Sequence, residues 1–294
     1  MNTFKWLIRR EFWESRTAWV APVATALILI AVTLLGLFYG IEGSFSGEIL
    51  GQINTSSVGV NDAAIAGLVV IAATFFVVLQ ISQYAYLADC LYSERKDRSI
   101  LFWKSLPISD RATVLSKLFF ALVVMPVLAA CCVLITQVVV YAAASIKLGM
   151  PAQLLSVMWA PATWAKAIGF GIFECITAEL WALPLMAWVL MVSAFAPRSP
   201  TLIALLVPAG AAFVENLLFG TSRIGAWVIA RMGMPQAVGS SAKAIGISSK
   251  EGLMFTPPDI AGILTNPSLW IGLGVAALLV AGAIEIRRRR DPSA

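Results

Sequence analysis

Six apolar runs, each long enough to cross a bilayer as a helix, occupy most of this chain. They are Trp19–Tyr39, Ala63–Leu87, Leu118–Ala144, Trp164–Phe195, Thr201–Phe219 and Pro267–Ile286. A crossing helix needs about 20 predominantly apolar residues. In hydrocarbon the backbone meets its own hydrogen-bonding needs only as a helix or a closed barrel, and runs this continuous read as helices. The expected fold is an all-α polytopic membrane protein with six transmembrane helices. Composition agrees: 60% of residues are hydrophobic and 13% charged, against about 25% charged in soluble domains. Too little polar sequence remains for a sizeable soluble domain, so residues 1–294 are expected to form a single transmembrane unit. The first run exceeds the 7–15 residues or so of a cleavable signal, so it is expected to stay as an anchor.

The basic residues fix an expected orientation. Lys5, Arg9, Arg10 and Arg16, a cluster between Tyr92 and Lys117, Arg198, and Arg287–Arg290 fall on one side of the six runs. Lys147, Lys166, Arg223, Arg231, Lys243 and Lys250 fall on the other, and the loop 41–62 has no Lys or Arg. Positive charge gathers on the cytoplasmic side, so both termini are expected there, in a bacterial cytoplasmic (inner) membrane. The net charge of +5 follows from this bias and does not call for nucleic acid. Phe4, Leu7, Ile8 and Phe12 share a helical face, so residues 1–17 read as an amphipathic helix on the inner membrane surface. The fourth run is long and contains Pro184, which predicts a kink or an interfacial entry helix. Residues 220–266 hold recurrent apolar positions (Ile224, Trp227, Val228, Ile229), read as short helices re-entering the outer interface before the last span.

Enzyme chemistry is not expected. With no histidine, His-based metal sites, His bases and the HExxH motif drop out. No GxxxxGK[ST] loop exists, so the chain has no phosphate cradle of its own. No GxGxxG exists either, and Gly272 and Gly274 sit in a span, where close packing is their expected job. Cys90, Cys131, Cys132 and Cys175 lack metal or redox spacing and read as small buried hydrophobes. No catalytic residue, metal or cofactor is assigned to this chain.

Three intramembrane carboxylates, Glu174, Glu179 and Glu215, stand out, because a carboxylate at bilayer depth costs on the order of 3 kcal/mol. They are candidates for a cation or proton path or for substrate contact, or for structural pairing with Gln80, Gln83, Gln137 or Arg223. Gln80, Gln83 and Tyr84 share a face of the second span, the arrangement expected of hydrogen bonds between helices. Trp19, Trp159, Trp164 and Trp270 fall near span ends, as interfacial anchors do. Arg287–Arg290 reads first as a stop-transfer charge block and second as an anionic-lipid site.

Between the second and third runs lies a charged island with an apolar centre, residues 91–117. Glu94-Arg95-Lys96-Asp97-Arg98 extends the second span as a helix. Ser99–Leu106 offers a short amphipathic turn with Ile100, Leu101 and Trp103 on one side. Pro107 ends it, and Ser109 caps the next helix with Asp110 in its first turn. A short helix between two long ones suits a contact surface for a cytoplasmic partner. Glu94-Arg95, Ser99-Ile100-Leu101, Leu106-Pro107-Ile108-Ser109 and Lys117 resemble the cytoplasmic loop of type-2 ATP-binding-cassette exporter permeases, with Arg98-Ser99 where Gly-Thr is usual. The resemblance covers about 25 residues of sequence and extends to the six-span plan. It implies a permease subunit that packs against a second permease copy or a related permease among membrane lipids, over a separate cytoplasmic ATPase subunit that binds ATP and Mg. It also implies ATPase-coupling roles for Glu94, Arg95, Arg98, Ile100, Leu101, Trp103, Leu106 and Pro107. The alternatives are an ion-coupled secondary transporter or channel using the intramembrane Glu residues, and a non-transporting membrane scaffold.

Overall fold

A computed structural model describes residues 3–39, 60–97, 108–147, 152–232 and 260–289. All described elements are helices. α1 (Thr3–Glu14) precedes α2 (Thr17–Tyr39), α3 (Val60–Asp89) and the short α4 (Tyr92–Lys96). α5 comprises Asp110–Phe119 and Met125–Lys147, joined through a π-helical turn at Phe120–Val124. α6 (Ala152–Met158), α7 (Pro161–Phe195), α8 (Pro200–Phe219), α9 (Arg223–Met232), α10 (Ile260–Thr265) and α11 (Pro267–Arg289) complete the order. Six helices, α2, α3, α5, α7, α8 and α11, are long and apolar enough to span a membrane.

α7 is the hub. It packs on α11, α3, α8 and α9, and more than half of its apolar window is buried. It runs as one helix through Pro184, with the separate helix α6 before it. The main core joins Leu87, Leu91, Phe120, Met125, Met186 and Leu190 near one end of the bundle. A smaller cluster at the other end joins Ile65, Leu68, Tyr141 and Met158. There Gly67 is needed, because a Cβ at that position would lie 2.8 Å from Tyr141 Oη. α8 is the opposite case: beyond Pro200 at its start, none of its residues is buried. Leu205, Leu206, Phe213 and Leu217 point outward, as a helix can when its surroundings are lipid or another membrane chain.

α1 departs from the sequence reading in one respect. Its apolar face turns onto the bundle. Leu7 is buried, Ile8 and Phe12 pack on the main core, and Phe4 meets Phe119 edge-on at 5.7 Å. Trp6 and Trp13 are exposed, and Phe4 stays partly so despite its contact. The reason lies at Glu11, one turn beyond Leu7 on the same face, which is buried with partners from the bundle.

Span-end tryptophans tie connections to spans. Trp159 Nε1 donates to Ser145 Oγ (3.1 Å), Trp164 Nε1 to Met158 O (2.9 Å) and Trp270 Nε1 to Leu264 O (2.8 Å). α8 ends at Gly220, whose φ of 61° is the left-handed conformation that glycine adopts without strain. Of the cysteines, Cys90 is buried, Cys132 and Cys175 are half-buried and Cys131 is exposed. Cys131 therefore departs from the expectation of burial.

Candidate functional site

The charged side chains of four elements meet at the end of the bundle that carries α1, α4 and Arg287. Glu94 of α4 is 2% exposed. Its Oε1 accepts from Arg10 Nη2 at 2.6 Å and lies 3.1 Å from Lys117 Nζ; its Oε2 accepts from Arg287 Nη1 at 2.7 Å. Lys117 also donates to Glu11 Oε1 at 2.9 Å, and Tyr86 Oη donates to Glu11 Oε2 at 2.7 Å. Arg287 Nε donates to Asp110 Oδ1 at 3.0 Å. Arg10 Nε also donates to the exposed Glu14 at 2.8 Å; beneath that surface pair the cluster sets Arg10, Lys117 and Arg287 against Glu11, Glu94 and Asp110, equal in number and interleaved. Buried charges persist only when paired and hydrogen-bonded, and each of these is. Burial opposes the charge on Arg10, but the carboxylates of Glu94, Glu11 and Glu14 outweigh it and raise the Arg10 pKa above its ordinary value.

Arg287 bridges both flanks of segment 98–107. Glu94 sits just before that segment and Asp110 just after it, and one guanidinium from the last span holds both. Arg287 is therefore not simply part of a stop-transfer block. Arg288 and Arg289 are exposed and pair with Glu285 of their own helix. Arg290 lies outside the described residues. Ser109 takes the expected cap position, its Oγ accepting from Ala112 N at 3.2 Å.

Arg95 turns the other way, onto the end of α7. Its Nη2 donates to Ser193 O (2.7 Å) and Ala196 O (2.9 Å), carbonyls that a helix C-terminus leaves without intrahelical donors. Ser193 returns the arrangement: its Oγ accepts from Leu91 N (3.2 Å) and Tyr92 N (3.1 Å), where α4 begins. α4 and α7 thus close each other's open ends. Arg98, Ile100, Leu101, Trp103, Leu106 and Pro107 lie outside the described residues.

The polar residues of the spans separate into three environments. Glu215 accepts from Thr221 Oγ1 (2.7 Å), Arg223 N (2.9 Å) and Ile224 N (2.6 Å). It therefore sits at the N-terminus of α9 as a capping carboxylate. Glu179 of α7 is buried and accepts from Gln83 Nε2 of α3 at 2.7 Å; the same nitrogen donates to Ala121 O of α5 at 2.9 Å. That carbonyl is free for a local reason. In the π-helical turn Met125 N bonds Phe120 O; the next donor in this register would be residue 126, which is proline and has no N–H. Gln80 and Glu174 are half-buried on the same two helices, and Gln137 donates to Leu68 O at 2.8 Å.

At the other end of the bundle Arg231 is 1% exposed. It donates to Trp181 O (3.1 Å) and to Ser268 O and Oγ (2.5 and 3.1 Å), with its guanidinium 4.4 Å from the Trp181 ring and 5.2 Å from the Trp227 ring. Burial lowers its pKa. Gly272 makes room for it, since a Cβ there would lie 2.8 Å from Arg231 Cζ. The close approach expected of this glycine is thus to a guanidinium.

Sequence reading singled out Glu94 but not its partners. Glu11 carried a signal, as an acid on the apolar face of α1. In sequence Lys117 and Asp110 read as parts of the loop and Arg10 and Arg287 as orientation charges, but none of them, nor Ser193, reads as a partner of α4, because the pairings are remote in sequence. The fold and this site define a six-span helical membrane protein with a buried ion cluster at one end. No family model matches the chain, and no curated protein or solved structure matches it.

Proposed function

We propose that this chain is the membrane-spanning permease subunit of an ATP-binding-cassette exporter. In this reading it forms the substrate pathway with a second permease copy, over a separate cytoplasmic ATPase that carries ATP and Mg. The buried ion cluster lies on the cytoplasmic side, and segment 98–107 is the ATPase-coupling surface. The observation that carries the reading is the grip of Arg287 on both flanks of that segment. Motion imposed there has a rigid route into the bundle: Glu94 moves α1 and α5 through Arg10 and Lys117, and α11 through Arg287. Arg95 adds α7 through the Ser193 and Ala196 carbonyls. A loop whose flanks are attached so tightly to α1 and three spans suits a lever. The ion-coupled alternative and the scaffold have no use for this attachment, and of the three carboxylates an ion path would use, Glu215 is occupied as a helix cap. The uncovered α8 is available to the second copy.

The test is affinity purification of the tagged chain in mild detergent, with identification of what accompanies it. An ATP-binding-cassette ATPase that co-purifies, and whose hydrolysis is uncoupled from transport by Glu94→Lys, Arg95→Glu or Trp103→Ala, is the expected result. A chain that purifies without an ATPase, or wild-type coupling in all three variants, refutes it.

A further inference from the structure

We propose that Glu179 is a proton-binding site inside the bundle, taking up one exchangeable proton on Oε2. This inference stands independently of the permease reading.

The donors and acceptors around Glu179 do not balance. A glutamine amide has two hydrogens, and Gln83 Nε2 spends them on Glu179 Oε1 and Ala121 O. Glu179 Oε2 and Gln83 Oε1 remain as buried acceptors without a hydrogen-bond partner; Tyr84 Oη and Gln80 Nε2, on the same face of α3 and able to donate, are buried without a partner too, so neither supplies the carboxylate with a hydrogen bond. Glu179 is 7% exposed and Gln83 fully buried. An ionised carboxylate buried with one neutral donor and no cation is held at high cost. A proton removes the charge and turns one surplus acceptor into a donor.

Among the described residues, the groups around it supply no alternative positive charge. Tyr84 comes from α3, and Glu174 and Cys175 lie on its own helix; none is a cation. Residues 201–214 of α8 and 272–284 of α11 contain no charged side chain. In α5, residues 118–135 offer only Cys131 and Cys132 as titratable groups. Arg231 of α9, which meets α7 at Trp181 two residues beyond Glu179, is engaged by the Trp181 and Ser268 carbonyls and by two indole rings. A hard metal ion asks for about six oxygen ligands; three unpartnered oxygens stand here. Among the described residues no group of three or more His, Cys, Asp or Glu side chains is placed to hold one.

The step is simple in balance. Water delivers the proton, an O–H bond forms at Oε2, and on release the proton returns to water with no electron transferred. Glu179 joins α7 to α3 through Gln83, and Gln83 joins α3 to the π-helical turn of α5. Losing the proton leaves a bare carboxylate at this three-helix junction, which favours parting of the helices and entry of water. Proton occupancy and helix packing are thereby linked.

Infrared difference spectroscopy on the full chain in lipid nanodiscs, titrated from alkaline to acid pH, tests this. The expected result is a protonated-carboxyl stretch of the wild type that shifts in deuterium oxide, remains in Glu174→Gln and is lost in Glu179→Gln. One proton fewer per chain should be taken up by Glu179→Gln in a pH jump. Gln83→Leu keeps the carboxyl but removes the donor to Oε1, so its band should move to higher frequency. A band that is the same in wild type and Glu179→Gln, or that does not move in Gln83→Leu, overturns the proposal. So does displacement of the band by sodium at fixed pH, which would make this a metal-cation site. The Gln83 arm decides the matter even if Glu179→Gln does not fold. None of these readouts involves an ATPase, so failure here and failure of the permease reading are separate events.

Discussion

Replacing Glu94 by Gln keeps the side-chain shape and removes one charge from a cluster in which three cations and three carboxylates balance. Within the cluster Arg10, Lys117 and Arg287 then face Glu11 and Asp110 with a positive charge in excess, and Glu14, paired with Arg10 from the exposed side, offsets little of it. The Glu94 and Arg287 side chains are 2% and 4% exposed, so solvent does little to absorb it. Breaking a buried pair from one side costs about 3–5 kcal/mol; the retained amide oxygen places Glu94→Gln near about 3 kcal/mol, roughly a hundredfold in the unfolding equilibrium. Arg287→Gln should cost a similar amount, because it leaves Glu94 and Asp110 short of a cation. The double variant is again balanced in charge, so its loss should fall below the sum of the two by at least about 1.5 kcal/mol. Denaturant unfolding in mixed micelles measures all three. The losses should change little between low and high salt, because buried pairs are weakly screened. Arg289→Gln is the control: its pair with Glu285 is exposed and should be worth less than about 1 kcal/mol. Additive losses for Glu94→Gln and Arg287→Gln, or losses abolished by salt, would refute the account of a buried, mutually dependent cluster.

Other outcomes follow from the same geometry. Glu215→Ala removes the carboxylate at the start of α9 and should cost about 1 kcal/mol, with hydrogen exchange accelerating at the Arg223 and Ile224 amides. Unchanged exchange there would show that the cap is dispensable. Gly272→Ala puts a Cβ against the Arg231 guanidinium and should destabilise by about 1–3 kcal/mol. The displacement is read as a change in tryptophan fluorescence, since Arg231 lies over Trp181 and Trp227. Arg95→Met should free the ends of both α4 and α7 at about 1–2 kcal/mol, seen as faster exchange at Leu91 and Tyr92. Exchange unchanged at those amides would mean that Ser193 holds α4 without help from Arg95.

The six apolar runs determined the class of fold because the physics involved is local. A segment of some twenty apolar residues has only one way to satisfy its backbone in lipid, and no partner need be known. Ser109 as a helix cap is local in the same sense. α1 was legible as an amphipathic helix, but not what it covers, since an apolar face fits a lipid surface and a protein surface equally well. Glu11 decided between them, and it acts through Lys117, more than a hundred residues away. The ion cluster as a whole belonged to tertiary structure alone: Glu94 and Arg287 are 193 residues apart, and in sequence Arg287 is indistinguishable from the exposed arginines that follow it. Glu179 was conspicuous as a charge in a span, yet its shortage of donors depends on a proline in α5 that frees the Ala121 carbonyl to compete for the Gln83 amide. Periodicity and composition report what each helix prefers one at a time. Which buried charges neutralise one another, and which polar atoms are left over, is set only when the helices are brought together.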